Sequence, residues 1–140
     1  MEKIAVIYWS GTGNTEAMAN AIAEGIKNAG TEVDIFSVSD FVVDTLDSYK
    51  KIAFGCAAMG DEVLEEAEFE PFFCSVENKL SNKKVALFGS YGWGDGKWMR
   101  DWEERIPGAA LFEEGLIVNG MPVGETKQQC VDFGKKFAEC

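Results

Sequence analysis

A short polar loop near the start of the chain has the residue types that bind an anion. Residues 10–15, with the sequence SGTGNT, follow an apolar run and precede apolar residues at helical spacing. The N terminus of a helix offers unpaired backbone N–H groups and the positive end of the helix dipole, which together bind phosphate without a cation. Glycines allow close approach of the backbone, and hydroxyl and amide side chains add neutral donors. The candidate phosphate-binding residues are Ser10, Gly11, Thr12, Gly13, Asn14 and Thr15.

This phosphate loop (residues 10–15) differs from the better-known nucleotide-binding loops. No Lys, Arg or His occurs between Lys3 and Lys27, so a P-loop lysine is absent. Glu16 stands where a dinucleotide-binding fingerprint requires its third glycine. Because phosphoryl transfer needs clamping cations and Mg²⁺, the residues favour a phosphate monoester that stays bound.

Two further loops combine glycines with side chains suited to a flat ligand. The second loop (residues 56–62) reads CAAMGDE, and the third loop (residues 90–96) reads SYGWGDG. A glycine-rich loop has little reason to hold Tyr91 and Trp93 away from the core unless a ligand stacks on them. Met59 offers a polarizable second face. The alternative is that Met59 and Trp93 fold back into the core.

Composition excludes several classes of function. The 140 residues are 46% apolar, which is enough for one core without disulfides, and we expect a single domain spanning residues 1–140. The absence of histidine disfavours Ser-His or Cys-His hydrolysis and most zinc sites. A formal net charge of −11 disfavours nucleic acid and anionic membranes and favours partner proteins with a basic patch. The N-terminal apolar run is too short for a signal peptide or membrane span, and four scattered cysteines suit a reducing cytoplasm.

Alternating strands and helices must position the three loops. The predicted strands are Lys3–Tyr8, Glu32–Val38, Lys51–Gly55, Lys84–Gly89, and the pair Ala109–Phe112 and Leu116–Val118. The predicted helices centre on Met18–Ile26, Phe69–Leu80, Trp98–Ile106 and Cys130–Ala138, and residues 40–50 fit a short helical turn. This alternation predicts a parallel sheet with helices on both faces, in which ligands bind beyond the carboxyl ends of the strands. All three loops lie there.

Taken together, the three loops resemble the signature segments of the short-chain flavodoxins. The segments YWSGTGNTE, AMGDEVLEE and GSYGWGDGKWMRD have the order and spacing of that family, and the resemblance covers nearly the whole chain. It implies an α/β fold with a doubly wound five-stranded parallel sheet in the order 2-1-3-4-5, a strand order for which flavodoxin is itself the type example. It also implies that the chain binds FMN non-covalently.

The resemblance assigns roles to the site residues. The phosphate loop would hold the FMN phosphate, while Met59 and Trp93 would flank the isoalloxazine ring. The Gly60–Asp61 peptide would lie at flavin N5, and Glu62 would reach N3. The other residues expected to contact the cofactor are Ala58, Ser90, Tyr91, Gly92 and Gly94.

The function implied by the resemblance is that of a low-potential electron carrier. It would shuttle between semiquinone and hydroquinone, act as a monomer, and serve basic-patched reductases and low-potential oxidoreductases without turning over a substrate. We hypothesise that the Gly60–Asp61 peptide flips on one-electron reduction. We also expect unpaired carboxylates, such as Glu66 and Asp95, to lower the second potential.

Two other functions are compatible with this fold. A small FMN-dependent NAD(P)H:quinone oxidoreductase would need a second substrate pocket, for which the chain has little room. A signalling domain without flavin would leave the second and third loops unexplained.

Overall fold

Five parallel strands form the central sheet. The structure, a computed structural model, describes residues 3–60, 62–107 and 110–140. The strands are β1 (Ile4–Trp9), β2 (Val33–Ser37), β3 (Lys51–Cys56), β4 (Lys84–Tyr91) and β5 (Leu116–Asn119). Their spatial order is β2-β1-β3-β4-β5, and every neighbouring pair is parallel. The predicted fold class is confirmed.

Helices cover both faces of the sheet. They are α1 (Asn14–Asn28), α2 (Phe69–Val76), α3 (Lys97–Glu103) and α4 (Glu125–Glu139), with 3₁₀ turns at Val43–Ser48 and Glu77–Lys79. Ala5 and Ile7 of β1 join one buried cluster, and Ile4 and Val6 join the other. A continuously apolar strand is therefore explained by burial on both of its faces. Within the described ranges, no helix is long and apolar enough to cross a membrane.

The last strand is interrupted, and the sequence predicted its two pieces separately. The predicted segment begins at Ala109, which lies outside the described residues, and only Leu111 pairs with Val85, through an isolated parallel bridge. The regular part of β5 starts at Leu116. Between them, Glu113 has φ 50°. A left-handed residue turns the chain out of the extended conformation, so the two pieces cannot form one continuous strand.

Two glycines bring the backbones of α1 and α4 into contact. A Cβ atom on Gly25 would collide with the carbonyl oxygen of Val131, and one on Gly134 would collide with that of Ile22. Since α1 begins at Asn14, within the phosphate loop, this contact also fixes the position of that loop.

Candidate cofactor site

A cavity of about 280 Å³ opens at the carboxyl edge of the sheet, where β1, β3 and β4 end. It is lined by Trp9, Gly11, Thr12, Asn14, Ala57, Ala58, Met59, Ser90, Tyr91, Gly92 and Trp93. The chain runs outward in both directions from β1 and β3 here, and such a switch point is where doubly wound sheets bind ligands. The cavity thus brings together residues from all three predicted loops.

The phosphate loop wraps the N terminus of α1. Gly13 has φ 95°, a left-handed conformation that glycine adopts at little cost. The hydroxyl of Ser10 accepts a hydrogen bond from the backbone N–H of Gly13, with 3.0 Å between the heavy atoms. Among the described residues, no side chain caps α1. Its first N–H groups therefore point toward a ligand.

Thr15 connects the phosphate loop to the sheet. Its side chain is buried, and Oγ1 accepts a hydrogen bond from the backbone N–H of Ser90 at 3.3 Å. The Ser90 hydroxyl in turn donates to the carbonyl oxygen of Gly120 at 2.7 Å. These bonds join α1, β4 and the end of β5. Thr15 still has its own hydroxyl hydrogen to donate, whereas Ser90 has committed its hydroxyl hydrogen to Gly120.

The second loop makes a tight turn. Met59 and Val63 exchange two backbone hydrogen bonds, each 2.9 Å long. Gly60 has φ 52° and Glu62 has φ 59°. Asp61, predicted to contact the flavin, lies outside the described residues. A Cβ atom on Gly60 would meet nothing within 4 Å, so its backbone conformation, not crowding, calls for glycine.

Glu62 turns toward the third loop. Its Oε1 atom accepts hydrogen bonds from the backbone N–H groups of Asp95, Gly96 and Lys97, each 3.2 Å long. A Cβ atom on Gly94 would collide with the same carboxylate. Glu62 therefore joins the second and third loops, and none of these three bonds uses its Oε2 atom.

Two large apolar side chains are exposed at the cavity. Trp93 is 60% exposed and Met59 is 38% exposed. The alternative that they fold into the core is therefore wrong. Tyr91 is half-buried and packs against Trp98, with 5.6 Å between ring centroids. Several predicted residues are not in the cavity lining, and their contacts with a ligand stay predictions: Ser10, Gly13, Thr15, Gly60, Glu62 and Gly94.

Two lining residues are absent from the predicted set. Trp9 ends β1, and its Nε1 donates a hydrogen bond to Glu68 Oε1 at 3.2 Å. Ala57 follows β3 and was assigned no contact. An aromatic residue directly before a glycine-rich loop was the available signal for Trp9, because the last side chain of a strand lies beside the loop that follows it.

Several acidic side chains near the cavity already have partners. Glu65 is buried and accepts hydrogen bonds from the N–H groups of Ala67, Glu68 and Phe69. Burial alone would raise the pKa of Glu65, but these three bonds outweigh burial and lower it. Asp95 forms an ion pair with Arg100 at 3.0 Å, so the expectation that Asp95 is unpaired is wrong.

Cys56, the first residue of the second loop, has a structural role. Its Sγ atom accepts a hydrogen bond from the backbone N–H of Glu65 at 3.4 Å, and its carbonyl oxygen accepts one from Trp98 Nε1 at 3.1 Å. Burial raises the pKa of the Cys56 thiol to about 12, so it stays protonated at neutral pH.

Comparison with known proteins identifies the family. Residues 6–134 match the family model described as Flavodoxin. This chain belongs to the flavodoxin family. It is 56% identical over 135 residues to a flavodoxin of Clostridium beijerinckii, covering 95% of this chain and 97% of the relative. A Megasphaera elsdenii flavodoxin is 45% identical over 137 residues, covering 97% and 98%. The solution structure of two-electron reduced Megasphaera elsdenii flavodoxin covers 98% of this chain and 99% of its own, with a TM-score of 0.89.

As a flavodoxin, the chain is an FMN-binding electron carrier that passes electrons to redox partners. The cavity fits FMN chemically. One end presents the uncapped N terminus of α1 with the neutral donors Thr12 and Asn14, which suit a phosphate. The other end presents Met59 and Trp93, whose exposed apolar surfaces suit a flat aromatic ring.

Proposed function

We propose that this flavodoxin works as a low-potential one-electron carrier and has no substrate of its own. The observation that carries the proposal is the pairing, in one cavity, of a cation-free phosphate loop with the exposed Met59 and Trp93. When bound, FMN supplies the one-electron chemistry. The chain's contribution is to hold the cofactor and set the electrostatic potential around it.

At the phosphate end, the backbone of the phosphate loop does most of the binding. The first N–H groups of α1 and the side chains of Thr12 and Asn14 would donate to the phosphate oxygens. Ser10 holds Gly13 in its left-handed conformation. Thr15 ties the helix start to β4 and adds its remaining hydroxyl hydrogen.

At the ring end, Met59 and Trp93 would flank the isoalloxazine and exclude water from its faces. The Gly60–Asp61 peptide would lie at N5, where glycine lets the backbone change conformation at low cost. Glu62 would hold N3 through Oε2 and keep the bond from its Oε1 to the third loop. Ala58, Ser90, Tyr91, Gly92 and Gly94 would contact the remaining edge.

The phosphate loop has no cation to offset the negative charge of a bound phosphate, and this lowers the potential for the second electron. A carboxylate about 10 Å from an added electron, across an effective dielectric of about 40, costs about 0.8 kcal/mol, or about 35 mV. The bound phosphate and exposed acids such as Glu66 and Glu68 act in the same direction. Together they lower the second potential by on the order of 100 mV.

The acidic surface also indicates how partners bind. A net charge of −11 favours reductases and low-potential oxidoreductases that present a basic patch, with association that slows as salt rises. We propose that the chain acts as a monomer in the cytoplasm and that residues 1–140 form one domain.

A redox titration of the purified protein tests this function. We expect a yellow protein with tightly bound FMN, two separated one-electron potentials, and a second potential well below the first. It should not oxidise NADH or NADPH continuously when a quinone is the only acceptor. Steady NAD(P)H oxidation by the protein alone would show an NAD(P)H:quinone oxidoreductase instead.

A further inference from the structure

We propose that Trp9 is a positioning residue for the phosphate end of FMN. Its indole ring, fixed by Glu68, supports Gly11 and so keeps the phosphate loop in its binding conformation. Trp9 thereby sets the affinity for the phosphate without donating a hydrogen bond to it. The proposal rests on the FMN site described above.

The indole ring of Trp9 lies next to Gly11. A Cβ atom on Gly11 would lie 3.0 Å from Cη2 of the Trp9 ring and 3.5 Å from Cζ3. Gly11 is not among the described glycines with positive φ. A side chain on Gly11 would therefore make a tight contact with the ring, which would have to shift by a few tenths of an ångström. Gly13 is the opposite case, because it has φ 95° and open space around it.

A hydrogen bond to Glu68 fixes the indole ring of Trp9. Trp9 Nε1 donates to Glu68 Oε1 at 3.2 Å. The backbone of Glu68 is itself held at the start of α2, where its N–H donates to Glu65 Oε1 at 2.7 Å and its carbonyl accepts from Phe72 at 3.3 Å. The orientation of the indole is thus set by an element outside the loop that it supports.

The support of Gly11 by Trp9 affects phosphate binding. The phosphate loop is closed at one end by the bond between Ser10 and Gly13, and it rests on Trp9 at Gly11. A ring that is free to rotate would let Gly11 move and would misalign the backbone N–H groups that face the phosphate. Groups at the ring end, such as Met59 and Trp93, belong to other loops and would keep their positions.

A comparison of FMN with riboflavin tests this, because riboflavin lacks the phosphate. The full chain, freed of flavin, is titrated with each ligand and flavin fluorescence is followed. Glu68→Ala should weaken FMN binding about threefold to tenfold and leave riboflavin within about twofold of wild type. Trp9→Phe, which keeps a ring but loses Nε1, should behave in the same way. Glu68→Gln keeps an acceptor oxygen but loses the negative charge, so it should bind FMN at least as tightly as wild type.

A charge control separates support from electrostatics. Glu66 is an exposed neighbour on the same segment, so Glu66→Ala removes one negative charge and keeps the bond between Trp9 and Glu68. Removing a negative charge can only favour an anionic ligand. Tighter FMN binding by Glu66→Ala and weaker binding by Glu68→Ala is the expected pair. Tighter binding by both would overturn the proposal.

A double-mutant cycle tests the contact itself. Gly11→Ala should weaken FMN binding in the wild-type chain and weaken it clearly less in a Trp9→Leu background, since the ring that the methyl group would crowd is gone. The proposal would be overturned if the effects of Gly11→Ala and Trp9→Leu on the free energy of FMN binding were strictly additive. It would also be overturned if the variants lost equal affinity for FMN and riboflavin. If thermal unfolding shows that Trp9→Leu does not fold, the Glu68→Ala and Glu68→Gln pair decides alone. Failure of the wild-type chain to bind either flavin would refute the FMN site instead.

Discussion

The Oε1 atom of Glu62 lies 3.2 Å from the backbone nitrogen of Gly96, so a residue of the second loop caps the helix that follows the third loop. Two neighbouring N–H groups, those of Asp95 and Lys97, donate to the same atom. The two loops that carry Met59 and Trp93 are therefore connected by one side chain. A displacement of either loop is transmitted to the other.

Glu62→Ala should loosen both loops. Loss of the cap should lower the free energy of unfolding by about 1 kcal/mol. It should also speed hydrogen exchange at the amides of Asp95, Gly96 and Lys97, which would lose their acceptor. Glu62→Gln keeps an oxygen at the same position and should show a smaller effect. Unchanged exchange at these amides would contradict the connection.

Glu65 should make stability depend on pH in the acid range. Its pKa in the folded chain is lowered, so its contribution is fully present above the ordinary carboxyl pKa of about 4.3. The contribution is lost as pH falls through the lowered pKa. Glu65→Gln should lower the free energy of unfolding by about 1–2 kcal/mol at pH 7. In urea unfolding, the difference between variant and wild type should shrink in acid; a constant difference would contradict this account.

The fold could be predicted because local patterns were consistent with one another. Doubly buried strands produce continuous apolar runs, as in residues 4–7, and the helices show apolar residues at regular spacing. The observed strand ends differ from those predicted by at most two residues for β1 to β4. The position of the three loops at one edge of the sheet could then be predicted, because parallel strands bring their carboxyl ends to the same edge.

What could not be predicted depends on contacts between distant segments. Glu62 caps α3 with a carboxylate 34 positions from Gly96, so no local capping motif indicates it. The Trp9–Glu68 bond spans 59 positions. The two pieces of the last strand were predicted, but the left-handed Glu113 between them was not, because a non-glycine residue gives little sequence signal for that conformation.

Gly60→Val should bring the two one-electron potentials closer together. Gly60 has φ 52°, and a β-branched side chain disfavours that region by about 1–2 kcal/mol. The Gly60–Asp61 peptide would lose one of its accessible orientations, and the potential for the first electron should fall by on the order of 50 mV. Gly30→Val is the matched control, because Gly30 also has positive φ and open space around its added Cβ but follows α1, outside the cavity lining. Potentials that do not change in the Gly60 variant would argue against a mobile peptide.

Arg100→Gln should lower the second potential. Arg100 pairs with Asp95 at 3.0 Å, and its removal would leave the carboxylate of Asp95 uncompensated beside the third loop. An uncompensated charge about 10 Å away should shift the potential by about 30 mV at low salt. Because the pair is exposed, the shift should become smaller at high ionic strength. Arg100→Lys keeps the charge and should show little shift; a shift of equal size in both variants would point to altered packing.

Gly25→Ala should destabilise the chain, although helix propensity predicts the opposite. In an exposed helix, replacing Gly with Ala stabilises by about 1 kcal/mol. Here the added methyl group would collide with the carbonyl oxygen of Val131, which is backbone and cannot rotate away. Overpacking of this kind costs about 1–3 kcal/mol, so the expected net loss is about 1 kcal/mol or more. Asn20→Ala, at an exposed position of the same helix, supplies the control and should be neutral or stabilising. Because the phosphate loop includes the start of α1, Gly25→Ala should also weaken FMN binding in the same preparation. A variant that is more stable than wild type and binds FMN with unchanged affinity would show that α1 and α4 can move apart.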